Sequence, residues 1–428
     1  MTCSCSSQPP YPRLGECYRL LARALDTKSG NRDVDRLARD GDFDWQLIPQ
    51  LRQEFISDPL AQRVNKEFSD FMMTVVDAFH VQYVHVVKTL QMDALTRSQS
   101  LPALITYLYA PYAASFILEM HKAIPSPPIV ALLDTGRYPV DVVIDWLESE
   151  LGIEPKQLGR RLYPDSTGLN KNGRQDLQRW RTGVQLPSLN SITLITRELL
   201  HYYPRRPHLI KAAGEWLITA RMLGYLADEA SVYVDLRSLM LREVLGNIPN
   251  DDIGWILSNL NIKAAEHKRA VVESGLLLQE ELKRTTRKPP DAMATSRRGL
   301  DAFRQRLNRV EEADVSAYYL EWLEGRWHVL AGQLEAAKHH YAQAADLALY
   351  RSGPTQKDII QEALLLAAYL GDLPLYKRLK HRALAFDLSY LPGWEQSVAD
   401  AQELKLIRSN FELRFPSRGH FVESQGFA

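Results

Sequence analysis

Between Glu154 and Lys211 the chain carries eleven Lys or Arg against four Asp or Glu, in a sequence whose 52 basic and 52 acidic residues otherwise cancel. Clustered guanidinium and ammonium groups attract phosphate, and each phosphate they neutralise releases bound counterions. A neutral chain has no global field drawing it onto nucleic acid or membrane, so any such attraction is local to this stretch. The other reactive side chains offer less. Asp141 and Asp145, like Asp251 and Asp252, stand among helix starts, where carboxylates are favoured by exposed backbone N–H groups without any acid–base role. His80 and His85 are five positions apart, so their rings do not share a helical face, which suits partly buried histidines better than metal ligands. The three cysteines, Cys3, Cys5 and Cys17, cluster near the N-terminus. An odd, clustered set builds no disulfide framework, points to a reducing compartment, and supplies one thiolate too few for a structural zinc site. The sequence has no Gly-rich phosphate loop, Gly-x-Ser-x-Gly, His-Glu-x-x-His or paired Cys-x-x-Cys. The expectation is therefore a protein with no catalytic residue, bound metal or cofactor, the alternative being an enzyme of a class without short motifs.

The elements that would position these groups are helices. Apolar residues recur at three- and four-residue spacing, as in Leu14, Tyr18, Leu21, Ala22 and Leu25 and again in Phe68, Phe71, Met72, Val75, Val76, Phe79, Tyr83 and Val87, while period-two runs are short and rare. An all-α fold follows. At 428 residues two or three domains are expected, and 45% hydrophobic with 24% charged residues is the composition of a soluble globular protein. We divide the chain into a helical region at 10–125, a Pro-punctuated boundary at 124–141, a helical unit at 140–202, helices at 209–282, with 253–282 reading as one, a basic linker at 283–299, and helical repeats at 300–410. The uncharged run from Ser98 to Leu118 is long enough to span a bilayer, but Pro102, Pro111, Thr106 and Ser115 fit two buried helices meeting near Pro111 better. No membrane association is expected, and without a signal peptide at the N-terminus the protein is expected to be cytoplasmic.

Within 140–202, Leu177, Arg179, Trp180 and Gly183 are followed by Pro187, Ser188, Leu189, Ile192, Ile195 and Leu199. Gly183 suits a helix stop in positive φ, Ser188 an N-cap, and the last four residues one apolar face. This segment resembles a helix-turn-helix of the phage-repressor (Cro-like) type. Leu158 and Leu162 take the place of the positioning helix, and Val142, Val143, Trp146, Leu147 and Leu151 that of a first helix. Leu162 and Leu177 lie fifteen positions apart where the family has about seven, so a polar loop from Tyr163 to Asp176 replaces the tight turn. The resemblance implies that Arg174, Gln175 and Gln178 face base edges, Arg pairing with guanine and Gln with adenine, and that Lys171, Arg179, Arg181 and Asn190 approach phosphates or the groove rim.

Downstream, Gly325, Gly332, Ala337, Tyr341 and Ala344 stand at the spacing of a tetratricopeptide repeat, which this stretch resembles, with small residues where two helices must approach closely. A second unit keeps Ala368 and Gly371 but carries Tyr376 in place of a small residue. Together the two resemblances imply a DNA-binding protein of transcription regulation whose partners are double-stranded DNA, a protein or peptide on the repeats, and a second copy of the chain as a homodimer. The alternative is a non-enzymatic all-helical scaffold or adaptor in a multiprotein defence or stress assembly, with the helix-turn-helix purely structural.

Overall fold

The computed structural model describes residues 8–27, 45–162, 170–246, 252–266, 269–283, 290–309 and 316–388. Among them the fold is all-α, the one strand-like feature being an isolated antiparallel bridge between Gln91 and Ser352. The first helices are α1 (Leu14–Leu25), α2 (Ile48–Arg52), α3 (Asp58–Arg63), α4 (Lys66–Thr89), α5 (Arg97–Leu104) and α6 (Ala110–Ala123). Leu14, Tyr18, Ala22 and Leu25 are buried on α1, and Phe68, Met72, Val76, Tyr83 and Val87 on α4, on the faces that their spacing marks.

Two single turns of π-helix, Gln53–Ser57 and Ile105–Tyr109, each end just ahead of a proline, Pro59 and Pro111. A proline ring clashes with the carbonyl four residues back and donates no hydrogen bond, and a widened turn relieves both problems. Arg97–Ala123 is thus one continuous helical stretch rather than two helices meeting at Pro111. It is long and apolar enough to cross a membrane. It also buries Ala114, Phe116, Ile117 and Met120 in the core, where Thr219 donates a hydrogen bond to the Met120 sulfur.

Next come α7 (Ile129–Leu133), α8 (Pro139–Leu151), α9 (Leu158–Leu162), α10 (Asn170–Arg181), α11 (Leu189–Tyr202) and α12 (Pro207–Ala230). Helix α12 is the central post: α1, α8 and α11 all pack on it, and Trp216, Ile218 and Ala220 are wholly enclosed. Buried Arg221 ties three segments together by donating to the carbonyls of Pro187, Arg23 and Ala24. The units at 10–125, 140–202 and the first part of 209–282, through Leu257, therefore share one hydrophobic core.

The remainder comprises α13 (Leu236–Val244), α14 (Ile253–Glu266), α15 (Arg269–Lys283), α16 (Pro290–Leu307), α17 (Ala317–Leu330), α18 (Leu334–Ala348), α19 (Thr355–Leu370) and α20 (Leu373–Ala385). The span 253–282, read from the sequence as one helix, is helical at 253–266 and 269–282, and residues 267–268 lie outside the described residues. The expected linker at 283–299 needs correction as well. Residues 284–289 lie outside the described set, whereas 290–299 open α16, whose Leu300, Phe303 and Leu307 join Leu278, Leu282, Leu320 and Leu323 in a second, smaller core. Its sparse apolar residues concealed a helix because the anchoring ones lie just beyond the basic run.

From α17 to α20 short connections make antiparallel neighbours, each packed on the next. At Gly325 an added Cβ would stand 3.0 Å from the Tyr341 ring, and Ala337, Tyr341 and Ala344 are fully enclosed. The Tyr341 hydroxyl donates to buried Glu362 at 2.7 Å, and Trp322 and Arg326 donate to the same carboxylate at 3.0 and 3.1 Å. A buried charge is tolerable only when its lone pairs are satisfied in this way. These helices sit against the N-terminal region through Met92 N–H to Arg351 C=O at 2.8 Å and Gln356 to the Val87 carbonyl at 2.8 Å. Residues 389–410, included in the expected repeat region, lie outside the described residues.

Candidate nucleic-acid interface

Helix α10 owes its inward face to two residues, Leu177 and Trp180, each 5% exposed. It stops where Gly183 takes φ 73°, and a side chain there would collide with the Tyr138 ring, 2.6 Å from where its Cβ would lie. The Ser188 hydroxyl accepts from Ser191 N–H at 3.0 Å and opens α11, whose Leu189, Ile192, Ile195 and Leu199 are buried as their spacing requires. The helix begins at Asn170, so the second half of the expected loop, 170–176, is helical; 163–169 lie outside the described residues.

With the inward face fixed, the other positions follow. Gln175, Gln178 and Arg179 are exposed on α10, and Asn190 is exposed at the start of α11. Among the described residues Arg179 makes a long ion pair, 3.6 Å, with Asp176 one turn back. Arg174 is half-buried and, with Lys156, Arg160 and Gln178, lines a cleft of about 200 Å³ between α9 and α10. Lys171 belongs to the helix, but its side chain falls outside the described residues. The structure thus brings Arg174, Gln175, Gln178 and Arg179 onto one element, adds Lys156 and Arg160 beside them, and leaves Asn190 on the next helix.

Arg181 is the exception. Its side chain is 8% exposed and is bound by three carboxylates of α8: Asp141 at 2.7 Å, Asp145, and Glu148 at 2.8 Å. Burial pulls this guanidinium towards deprotonation, but its bonds to Asp145 and Asp141 and the charge of Glu148 hold it above the usual arginine value. A phosphate would have to displace three internal partners, so the expected phosphate contact at Arg181 is corrected to a structural one. Asp141 and Asp145 likewise do more than favour a helix start, since both also accept from Arg137. Burial pushes the Asp145 carboxyl up, yet Arg181 and Arg137 outweigh it and hold the group below the usual carboxylate range.

Glu148, 1% exposed, is the hub of the arrangement and was not singled out from the sequence. It accepts from the backbone N–H groups of Lys156 at 2.7 Å and Leu158 at 2.8 Å while also holding Arg181. One carboxylate therefore satisfies the open N-terminus of α9, allows Lys156 its left-handed φ of 63°, and locks α10 to α8. Its signal in sequence was only an acidic residue on the otherwise apolar face of α8.

Elsewhere, His80 sits half-buried with the Tyr18 hydroxyl 3.4 Å from Nδ1, and His85 is exposed, so they do not converge. Burial pushes the Cys17 thiol up to about 12, which makes it an inert core group. Cys3 and Cys5 lie outside the described residues. Comparison with family models, with curated proteins and with solved structures finds no match to this chain.

Proposed function

We propose that this chain is a DNA-binding regulatory protein that presents α10 to duplex DNA and uses its C-terminal, tetratricopeptide-like helices to engage a protein or peptide partner. The observation that carries the reading is the division of α10 into two faces. Leu177, Trp180 and Arg181 hold it rigidly to the core, while Gln175, Gln178 and Arg179 project away, beside the basic cleft of Lys156, Arg160 and Arg174. Rigid presentation matters because a bidentate contact to a base edge tolerates little angular play. Arg174 and Gln178 are assigned to base edges, and Lys156, Arg160 and Arg179 to phosphates.

A second reading has its own support. The buried Arg181 cluster and the core shared through α12 are what a purely structural bundle in a helical scaffold would also need. An electrophoretic mobility shift with random-sequence duplex at about 50 mM salt, where phosphate contacts are strong, separates the two. A shifted band, followed by selection of a preferred site on which Arg174→Ala loses about 1 to 3 kcal/mol, supports DNA binding. No shift with any duplex leaves the scaffold.

A further inference from the structure

In the first C-terminal hairpin, three ligand-type groups meet. Glu324 and His328 lie one turn apart on α17, and His340 comes from α18; one candidate ligand atom of each lies within 4.8 Å of the others. The two imidazoles are stacked nearly parallel, with centroids 4.9 Å apart and planes 11° apart.

What makes this more than proximity is where the protons must be. His340 Nδ1 is 2.6 Å from Glu321 Oε2, a carboxylate that can only accept, so Nδ1 carries the hydrogen. His328 Nδ1 is 2.7 Å from the amide oxygen of Gln333, which fixes the same tautomer. Both Nε2 atoms are then lone pairs. The third group, Glu324, spends three of its lone pairs on arginine: Oε1 accepts from Arg297 and Arg304, each at 2.6 Å, and Oε2 accepts from Arg297 at 2.5 Å. One lone pair of Oε2 is left over, and His328 Nε2 lies 4.0 Å from that oxygen, too far for a hydrogen bond. The three groups thus offer one another acceptors and no donor, an arrangement that a cation held between them would satisfy.

We propose that Glu324, His328 and His340 bind a divalent transition-metal cation of the zinc class, clamping α17 to α18. Imidazole nitrogen and carboxylate oxygen suit that class, and tetrahedral ligands at about 2.0 to 2.1 Å stand about 3.4 Å apart, so the site closes when the side chains draw together and one imidazole turns out of the parallel stack. Glu321 behind His340 supplies the carboxylate that orients a metal-bound imidazole and raises its basicity. Charge permits a cation as well: Glu321, Glu324 and Asp301 outnumber Arg297 and Arg304. Side-chain exposures of 16% for His328 and 21% for His340 leave the cation an entry path and a position for water.

The test uses the full chain, stripped with a chelator and titrated with zinc chloride by calorimetry and with cobalt chloride by visible absorption. The expected result is one tight equivalent with the intense d–d bands of low-coordinate cobalt. That equivalent should be lost in both His328→Gln and His340→Gln, weakened about 10- to 100-fold in Glu321→Gln, and kept in His339→Gln and in a variant with all three cysteines changed to serine. Should a histidine variant misfold, zinc protection of His328 and His340 against diethyl pyrocarbonate in the parent reads the same point. A parent without a stoichiometric site, unprotected histidines, or a site that survives both glutamine substitutions overturns the proposal.

Discussion

Replacing Arg181 by methionine probes whether α10 is held by charge or by packing. The substitution keeps most of the apolar stem and removes the guanidinium. Asp141 and Asp145 have side chains 19% and 36% exposed and still share Arg137, so losing Arg181 costs them little, as for surface pairs generally, about 0 to 1 kcal/mol. Glu148 is different: at 1% exposure it cannot turn to water. Breaking a buried pair usually costs about 3 to 5 kcal/mol. Here the carboxylate keeps two backbone donors, Lys156 and Leu158, so a loss of about 2 to 4 kcal/mol is expected. The damage should be local to α8, α9 and α10, and amide hydrogen exchange resolves it better than a global melt. Protection of the α10 amides should fall roughly 30- to 700-fold, the equivalent of that energy, with α19 unaffected. Pairing the change with Glu148→Gln should give a coupling of about 1 to 3 kcal/mol, because the glutamine relieves the unpaired charge. Protection within threefold of the parent would refute the assignment of Arg181 to the interior and return it to the surface.

Other expectations follow from the same contacts. Ala337→Phe should overpack the α17–α18 contact, where Ala337 is fully enclosed, and lower stability by about 1 to 3 kcal/mol in chemical denaturation. Tyr341→Phe removes the donor to buried Glu362 and should cost about 1.5 to 3 kcal/mol by the same assay, with the fold retained. Burial, then the charge of Arg52, lowers His80 to about 4 against 6.5, with Asp77 opposing. Because the unfolded chain takes up that proton first, His80 lends stability fully above pH ~6.5 and loses it as pH falls towards ~4, by about 3 kcal/mol at most. His80→Leu should flatten the difference between denaturation midpoints at pH ~7.5 and ~5.

Where the sequence was informative, local rules sufficed. Gly183, Ser188 and the Leu189, Ile192, Ile195, Leu199 stripe are decided within a few residues by backbone φ, capping and helical period, and each sits where those rules put it. Gly325, Ala337 and Tyr341 were legible for a similar reason, since close helix approach demands small residues at fixed spacing. The failures are tertiary. Arg181 looks like any surface arginine until α8 brings three carboxylates to it, positions 33 to 40 residues earlier in the chain. Glu148 reads as an ordinary helix acid until the turn after α8 folds back and offers two N–H groups. The Glu324, His328 and His340 cluster was hidden because His340 comes from the neighbouring helix, and a spacing rule within one helix sees only Glu324 with His328.

The most direct test of DNA binding is the salt dependence of affinity for a fluorescent random duplex, followed by anisotropy from about 50 to 200 mM salt. Lys156, Arg160, Arg161, Arg174 and Arg179 are the described basic side chains flanking or carried by α10 outside the Arg181 cluster. If Lys156, Arg160 and Arg179 each neutralise a phosphate, log affinity should fall with log salt at a slope of about −2.7. Changing Lys156, Arg160 and Arg179 together to alanine should then flatten the slope by about 2.7 units, while Arg137→Ala, whose partners are Asp141 and Asp145, leaves it unchanged. A parent that binds no duplex at about 50 mM salt, or a triple variant that keeps the parent's slope, contradicts the assignment of α10 and its cleft to DNA.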